Sequence, residues 1–151
     1  MQTIIIGDVH GCYFTLRKLL NQLPKNSQII FIGDLCDRGN YSKEVIEFVM
    51  QHNYTSLLGN HESYMLDSID LALSLQPNRW IDQSYMGGKE TLRSYKNAHD
   101  VLEKHVAWME QAMRYHDTSS HISPYTFFIH LNYSKILYIT SYIWKILLAQ
   151  G

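Results

Sequence analysis

The sequence predicts an α/β fold with parallel strands alternating with helices. Three observations predict it. Short apolar runs at Thr3–Ile6, Gln28–Ile32 and Tyr54–Leu58 read as strands buried on both faces. Each run is followed by apolar residues at helical spacing, which gives β-α-β-α-β-α and right-handed crossovers. Each run also ends in a polar, glycine-bearing loop: Gly7-Asp8-Val9-His10-Gly11, Gly33-Asp34-Leu35-Cys36-Asp37-Arg38-Gly39 and Gly59-Asn60-His61-Glu62. Ligands of α/β sheets sit outside the carboxyl ends of the strands, where these loops would meet.

In chain order, Leu16, Leu19, Leu20 and Leu23 form a first helical face, which Pro24 stops. Ser42 is placed to cap a second helix with Val45, Ile46, Val49 and Met50 inward. Glu62–Leu75 is the third helical pattern, and Pro77–Gly88 reads as an irregular loop around Trp80. Ala98–Arg114 carries Val101, Leu102, Val106, Met109 and Met113 on one side. After Ser123-Pro124, Tyr125–Ile129 reads as a fourth strand ending at His130.

With 151 residues, 46% of them hydrophobic and 18% charged, the chain can bury one core and is not disordered. A net charge of −1 gives no electrostatic case for nucleic acid as a partner. Cys12 and Cys36 lie inside motif loops without disulfide-framework spacing. Reduced thiols and the lack of a basic, cleavable leader point to the cytoplasm. No membrane partner is expected, and nothing in the sequence indicates an oligomeric state.

The loops carry the chemistry. Residues two apart in an extended stretch face the same way, so Asp8 and His10 can reach one ion; the plainer alternative is a loop capped by aspartate. Asp34 ends its strand as Asp8 does, and one carboxylate can bridge two ions about 3.5–4 Å apart. The Arg38 guanidinium suits phosphate oxygens, and Asp37 can orient and charge His61; the alternative is a surface ion pair. Asn60 offers an amide oxygen to a second ion or caps a helix, and Glu62 orients its neighbours. Imidazole and oxygen donors suit divalent cations, manganese first, with iron or zinc as alternatives. The reaction expected from this set is hydrolysis of a phosphate monoester by a metal-bound hydroxide. Arg38 would hold phosphate oxygens and His61 would protonate the leaving alcohol.

Gly-Asp-x-His-Gly, Gly-Asp-x-x-Asp-Arg-Gly and Gly-Asn-His-Glu, in this order, resemble the calcineurin-like metallophosphoesterases, and within them the bacterial phosphoprotein phosphatases. Relatives that cut diadenosine tetraphosphate usually carry Ala-Arg in place of Asp37-Arg38, and Asn-His-Asp in place of Asn60-His61-Glu62. Met86–Leu92 is similar to a Gly-Gly segment of bacterial members. The resemblance implies a β-sandwich flanked by helices and two divalent metal ions. Asp8, His10 and Asp34 would serve the first metal, and Asp34 and Asn60 the second. It also implies His61 with Asp37 as the acid pair, and Arg38 on phosphate with Asn60 and His61 beside it. The substrate would be phosphoserine or phosphothreonine in a protein, or a small phosphoester; the alternative enzyme is a symmetrical dinucleoside tetraphosphate hydrolase.

The resemblance covers residues 1–130, the expected phosphoesterase domain, and then breaks. The family supplies further histidines to its second metal, and His130 suits the first of these. Leu131-Asn132 stands where Ala-Gly is usual, and no histidine follows. All 14 acidic residues fall at or before Asp117. Residues 131–151 are therefore expected to be an atypical hydrophobic tail that replaces the C-terminal part of the fold, by frameshift or early stop. Ile136–Trp144 is too short to span a bilayer, which takes roughly 20 residues. An inactive metal-binding remnant is the alternative to an enzyme.

Overall fold

The computed structural model describes residues 2–112, together with the backbone of 126–132 and 135–140. Four strands run parallel: β1 (Thr3–Gly7), β2 (Gln28–Phe31), β3 (Thr55–Ser56) and β4 (Thr126–Asn132). A fifth, β5 (Lys135–Thr140), pairs antiparallel with β4, and the order across the sheet is β3-β2-β1-β4-β5. The central strand is the β-branched run at the N-terminus. Its Ile4 and Ile6 are buried, each contributing about 1.5–3 kcal/mol relative to an exposed side chain.

Between the parallel strands lie α1 (Tyr13–Leu20), α2 (Ser42–Gln51) and α3 (Asn60–Leu73). Leu16 and Leu19 of α1, Val45, Ile46 and Val49 of α2, and Met65 and Ile69 of α3 join the strand isoleucines in one core cluster. The first helix ends at Leu20, short of Leu23. There the Gln22 and Leu23 amides turn back to the carbonyls three residues before them. The third begins at Asn60, two residues before the expected start, because the Glu62 carboxylate accepts the Gly59 amide at 3.0 Å.

The stretch expected as a loop is partly helical. Asn78 caps a single turn, α4 (Arg79–Asp82), by accepting the Ile81 amide at 3.0 Å, and α5 (Gly88–Ser94) follows. The last helix, α6 (His99–Ala112), buries Leu102 and Met109, as its period predicts; Met113 lies outside the described residues. The fourth strand does not stop at His130. Its backbone continues to Asn132, where a ladder with β5 begins at the Asn132–Lys135 pair. Among the described residues no helix is long and apolar enough to cross a membrane. The second sheet implied by the resemblance is not among the described residues either.

This topology positions a site. Ile6 pairs with Phe31, and Phe31 with Ser56, so the three loops leave the sheet from the same edge. The backbone of His130 lies in register with Gly7, one residue before Asp8.

Candidate active site

Backbone hydrogen bonds stitch the first two loops together. The Val9 and His10 amides donate to the Asp34 carbonyl at 2.9 and 2.8 Å, and Gly11 donates to Leu35 at 2.8 Å. The third loop is tied in by Glu62. Its buried carboxylate accepts the amides of Asp34 (2.7 Å), Leu35 (2.7 Å) and Cys36 (3.1 Å) as well as that of Gly59. Burial pushes the Glu62 carboxyl up, and its hydrogen bonds to the Cys36 and Asp34 amides oppose that. Gly59 is required by close approach, because a Cβ there would lie 2.3 Å from Asp34 Oδ1.

Four non-glycine residues of these loops hold left-handed backbone: His10 (φ 45°), Asp34 (54°), Asp37 (70°) and Arg38 (63°). Such conformations cost about 1–3 kcal/mol each and persist where surrounding bonds over-determine them. All four are residues the sequence singles out for chemistry.

The side chains then converge. His10 Nδ1 donates to the Cys36 carbonyl at 2.9 Å, which leaves its Nε2 with a free lone pair. That Nε2 accepts from one Arg38 nitrogen at 2.6 Å, and His61 Nε2 accepts from the other at 3.1 Å. An arginine only donates, so His61 carries its proton on Nδ1 and gives it to Asp37 Oδ2 at 2.7 Å. Burial lowers the His10 pKa, and the Cys36 hydrogen bond opposes that. Each imidazole is thus held from behind with its second nitrogen facing the same point. The Arg38 guanidinium stands between the two histidines.

Asp37 is fully buried. Besides His61, its carboxylate accepts from Trp80 Nε1 at 3.0 and 2.9 Å and from the Thr91 hydroxyl at 2.7 Å. Trp80 and Thr91 lie outside the three motif loops, Thr91 within the Gly-Gly segment, and they reach Asp37 through the packing of α4 and α5. Ser42, expected to cap α2, makes no cap: Tyr41 holds that position, and the buried Ser42 hydroxyl meets Thr91 at 3.1 Å. The Gly-Gly segment has a local reason as well. Gly87 (φ 89°) lies so close that a Cβ would sit 2.0 Å from the Arg38 backbone nitrogen, and one on Gly88 would press on the Trp80 ring.

The other predicted positions are placed as follows. Asp8 is half-buried, with Oδ2 3.9 Å from His10 Nε2. Two donors about 2.1 Å from one ion lie at most about 4.2 Å apart, so this spacing suits a shared ligand set. Asn60 is the exposed first residue of α3; Gly59 is the cap. The His130 side chain lies outside the described residues. Donor atoms of His10, Asp34 and His61 lie within 4.8 Å of one another, a set that fits a divalent cation by chemistry and by the fixed tautomers.

Away from the three loops, His105 is fully buried, with Nδ1 2.7 Å from the Tyr95 hydroxyl and Nε2 on the Glu47 carboxylate. Burial raises the pKa of the Cys12 thiol at the start of α1.

One sheet edge thus gathers Asp8, His10, Asp34 and Arg38 with a buried Asp37–His61 pair. The chain belongs to the calcineurin-like phosphoesterase family, whose sequence profile matches residues 1–146. It is 36% identical over 87 residues to a symmetrical bis(5'-nucleosyl)-tetraphosphatase of Actinobacillus pleuropneumoniae serotype 5b (strain L20), covering 54% of this chain and 32% of that protein. It is also 36% identical over 114 residues to the protein of that name from Coxiella burnetii (strain RSA 331 / Henzerling II), covering 73% and 35%. Over 80 residues it is 36% identical to serine/threonine-protein phosphatase 2 of Escherichia coli (strain K12), covering 51% and 35%. The aligned part spans about a third of the length of each relative.

Proposed function

We propose that this chain forms a metal-dependent phosphoesterase site that hydrolyses phosphate monoesters, with phosphoserine or phosphothreonine in proteins as substrate. One observation carries the reading: His10 and His61 present unprotonated Nε2 atoms to a single guanidinium beside Asp34, each ring fixed by a partner on Nδ1.

In this reading Asp8, His10 and Asp34 hold a first divalent ion, and Asp34 and Asn60 hold a second together with His130. Manganese is the proposed metal, with iron or zinc as alternatives. When bound, such ions activate water and offset charge on the phosphoryl oxygens. The protein residues do the rest. Arg38 donates to both histidines, and a phosphate that its guanidinium can hold in a bidentate fork would draw it forward from them. His61 Nε2, released from Arg38, takes up a proton and delivers it to the leaving oxygen. Buried Asp37 supports the resulting imidazolium through Nδ1. The proposed setting is the cytoplasm, in keeping with two free thiols.

A second reading is symmetrical hydrolysis of dinucleoside tetraphosphates, favoured by the names of the relatives above. The Asp37–His61 pair favours the first. Expulsion of a serine alkoxide needs a proton far more than departure of a nucleotide phosphate does, and this pair is built to supply one. The two readings separate on turnover of a phosphoserine peptide and of diadenosine tetraphosphate with added Mn²⁺, against an Asp34→Asn control. We expect peptide turnover that the control loses by about 10²-fold or more. Equal rates in both proteins would remove the assigned site, and turnover of the tetraphosphate alone would select the second reading.

A further inference from the structure

We infer that Thr91 and Trp80 are positioning residues for the acid step: they hold the Asp37 carboxylate in line with His61. The inference rests on the proposed role of His61 and goes beyond it to two residues outside the motif loops.

The argument is one of donors and directions. Asp37 sits in a left-handed conformation, with its amide and carboxylate both facing α5. The Thr91 hydroxyl accepts the Asp37 amide at 2.8 Å and has one proton, which goes to Asp37 Oδ1 at 2.7 Å. With that proton spent, the contact to Ser42 at 3.1 Å requires Ser42 to donate. One threonine therefore clamps both ends of the aspartate, and a serine on α2 sets the rotor of that hydroxyl. Trp80 Nε1 bridges both carboxylate oxygens from α4. The Trp80 ring is seated against Gly88, where a Cβ would come within 2.7 Å of it.

These donors leave Oδ2 aimed at His61 Nδ1 and little room for the carboxylate to turn. All four groups, Asp37, Thr91, Trp80 and Ser42, are buried, so water cannot substitute for a missing donor. A hydrophobic replacement at Thr91 would keep the shape and lose the clamp, whereas serine would keep the hydroxyl.

The test compares Thr91→Val, Thr91→Ser, Trp80→Phe and His61→Asn, with Mn²⁺, on phenyl phosphate and on p-nitrophenyl phosphate. Thr91→Val and Trp80→Phe are expected to lower kcat by about 10–100-fold, the usual range for partners behind an active group. KM should stay put, the loss should be larger on phenyl phosphate, whose leaving group needs the proton more, and Thr91→Ser should restore the rate. If His61→Asn loses nothing, the acid role itself falls. If His61→Asn loses activity while Thr91→Val and Trp80→Phe do not, this inference alone falls.

A second readout needs no turnover. The His61 Nδ1 proton should give a slowly exchanging downfield NMR resonance in the wild type and in Thr91→Ser, and lose it in Thr91→Val. A resonance unchanged in both Thr91→Val and Trp80→Phe overturns the inference.

Discussion

At the residue scale the site depends on one carboxylate that touches no substrate. Glu62 receives four backbone amides from two loops and so keeps Asp34 and its neighbours in conformations they would not otherwise hold. Glu62→Gln replaces an acceptor oxygen with a donor facing buried amides. We expect it to cost at least about 1–3 kcal/mol, read as a lower midpoint in denaturant unfolding. Gly87 bears on the other side of the loop. Gly87→Ala introduces a methyl group against the Arg38 backbone at a positive φ, so it should lower both Tm and kcat. A variant with wild-type Tm and kcat would show that the two segments are not in contact.

At the element scale, α2, α5 and α6 meet around a polar chain centred on the buried His105. The Tyr95 hydroxyl, next to α5, donates to His105 Nδ1 on α6, and His105 Nε2 donates to Glu47 on α2. Burial pushes the His105 pKa down, against the raising pull of Glu47. A histidine with a folded pKa below its unfolded value binds fewer protons when folded. Its contribution is therefore intact above about pH 6.5 and is lost as pH falls below that. The stability difference between wild type and His105→Gln should shrink on going from about pH 7.5 to about pH 5.5. His10, also lowered by burial, is common to both proteins and cancels. A difference independent of pH would contradict the neutral network.

At the scale of the whole molecule, the site exists because parallel strands deliver three loops to one edge. An ion held by residues from two or three of them joins distant parts of the chain, so binding and folding are linked. Under the proposed ligand set, Mn²⁺ at 100 times its Kd should stabilise the protein by about 2.7 kcal/mol, seen as a rise in Tm. Chelation should reverse the rise and Asp34→Asn should abolish it. A Tm indifferent to Mn²⁺ would count against an ion at this edge.

The sequence by itself determined the strand–loop–helix alternation and the loop residues, because β-branched runs, helical periods and glycine-bounded polar turns are local signals. His10, Asp34, Asp37, Arg38, His61 and Glu62 could all be named from them. Only the tertiary structure decided who stands behind these residues. Trp80, Thr91 and Ser42 lie 43, 54 and 5 positions from Asp37 by their numbers in the chain. The packing of α4 and α5 brings them together, and no periodicity encodes it. The same holds for His105, whose burial follows from where Glu47 and Tyr95 come to rest. Contacts between distant segments depend on how helices pack, and packing is a property of the folded whole.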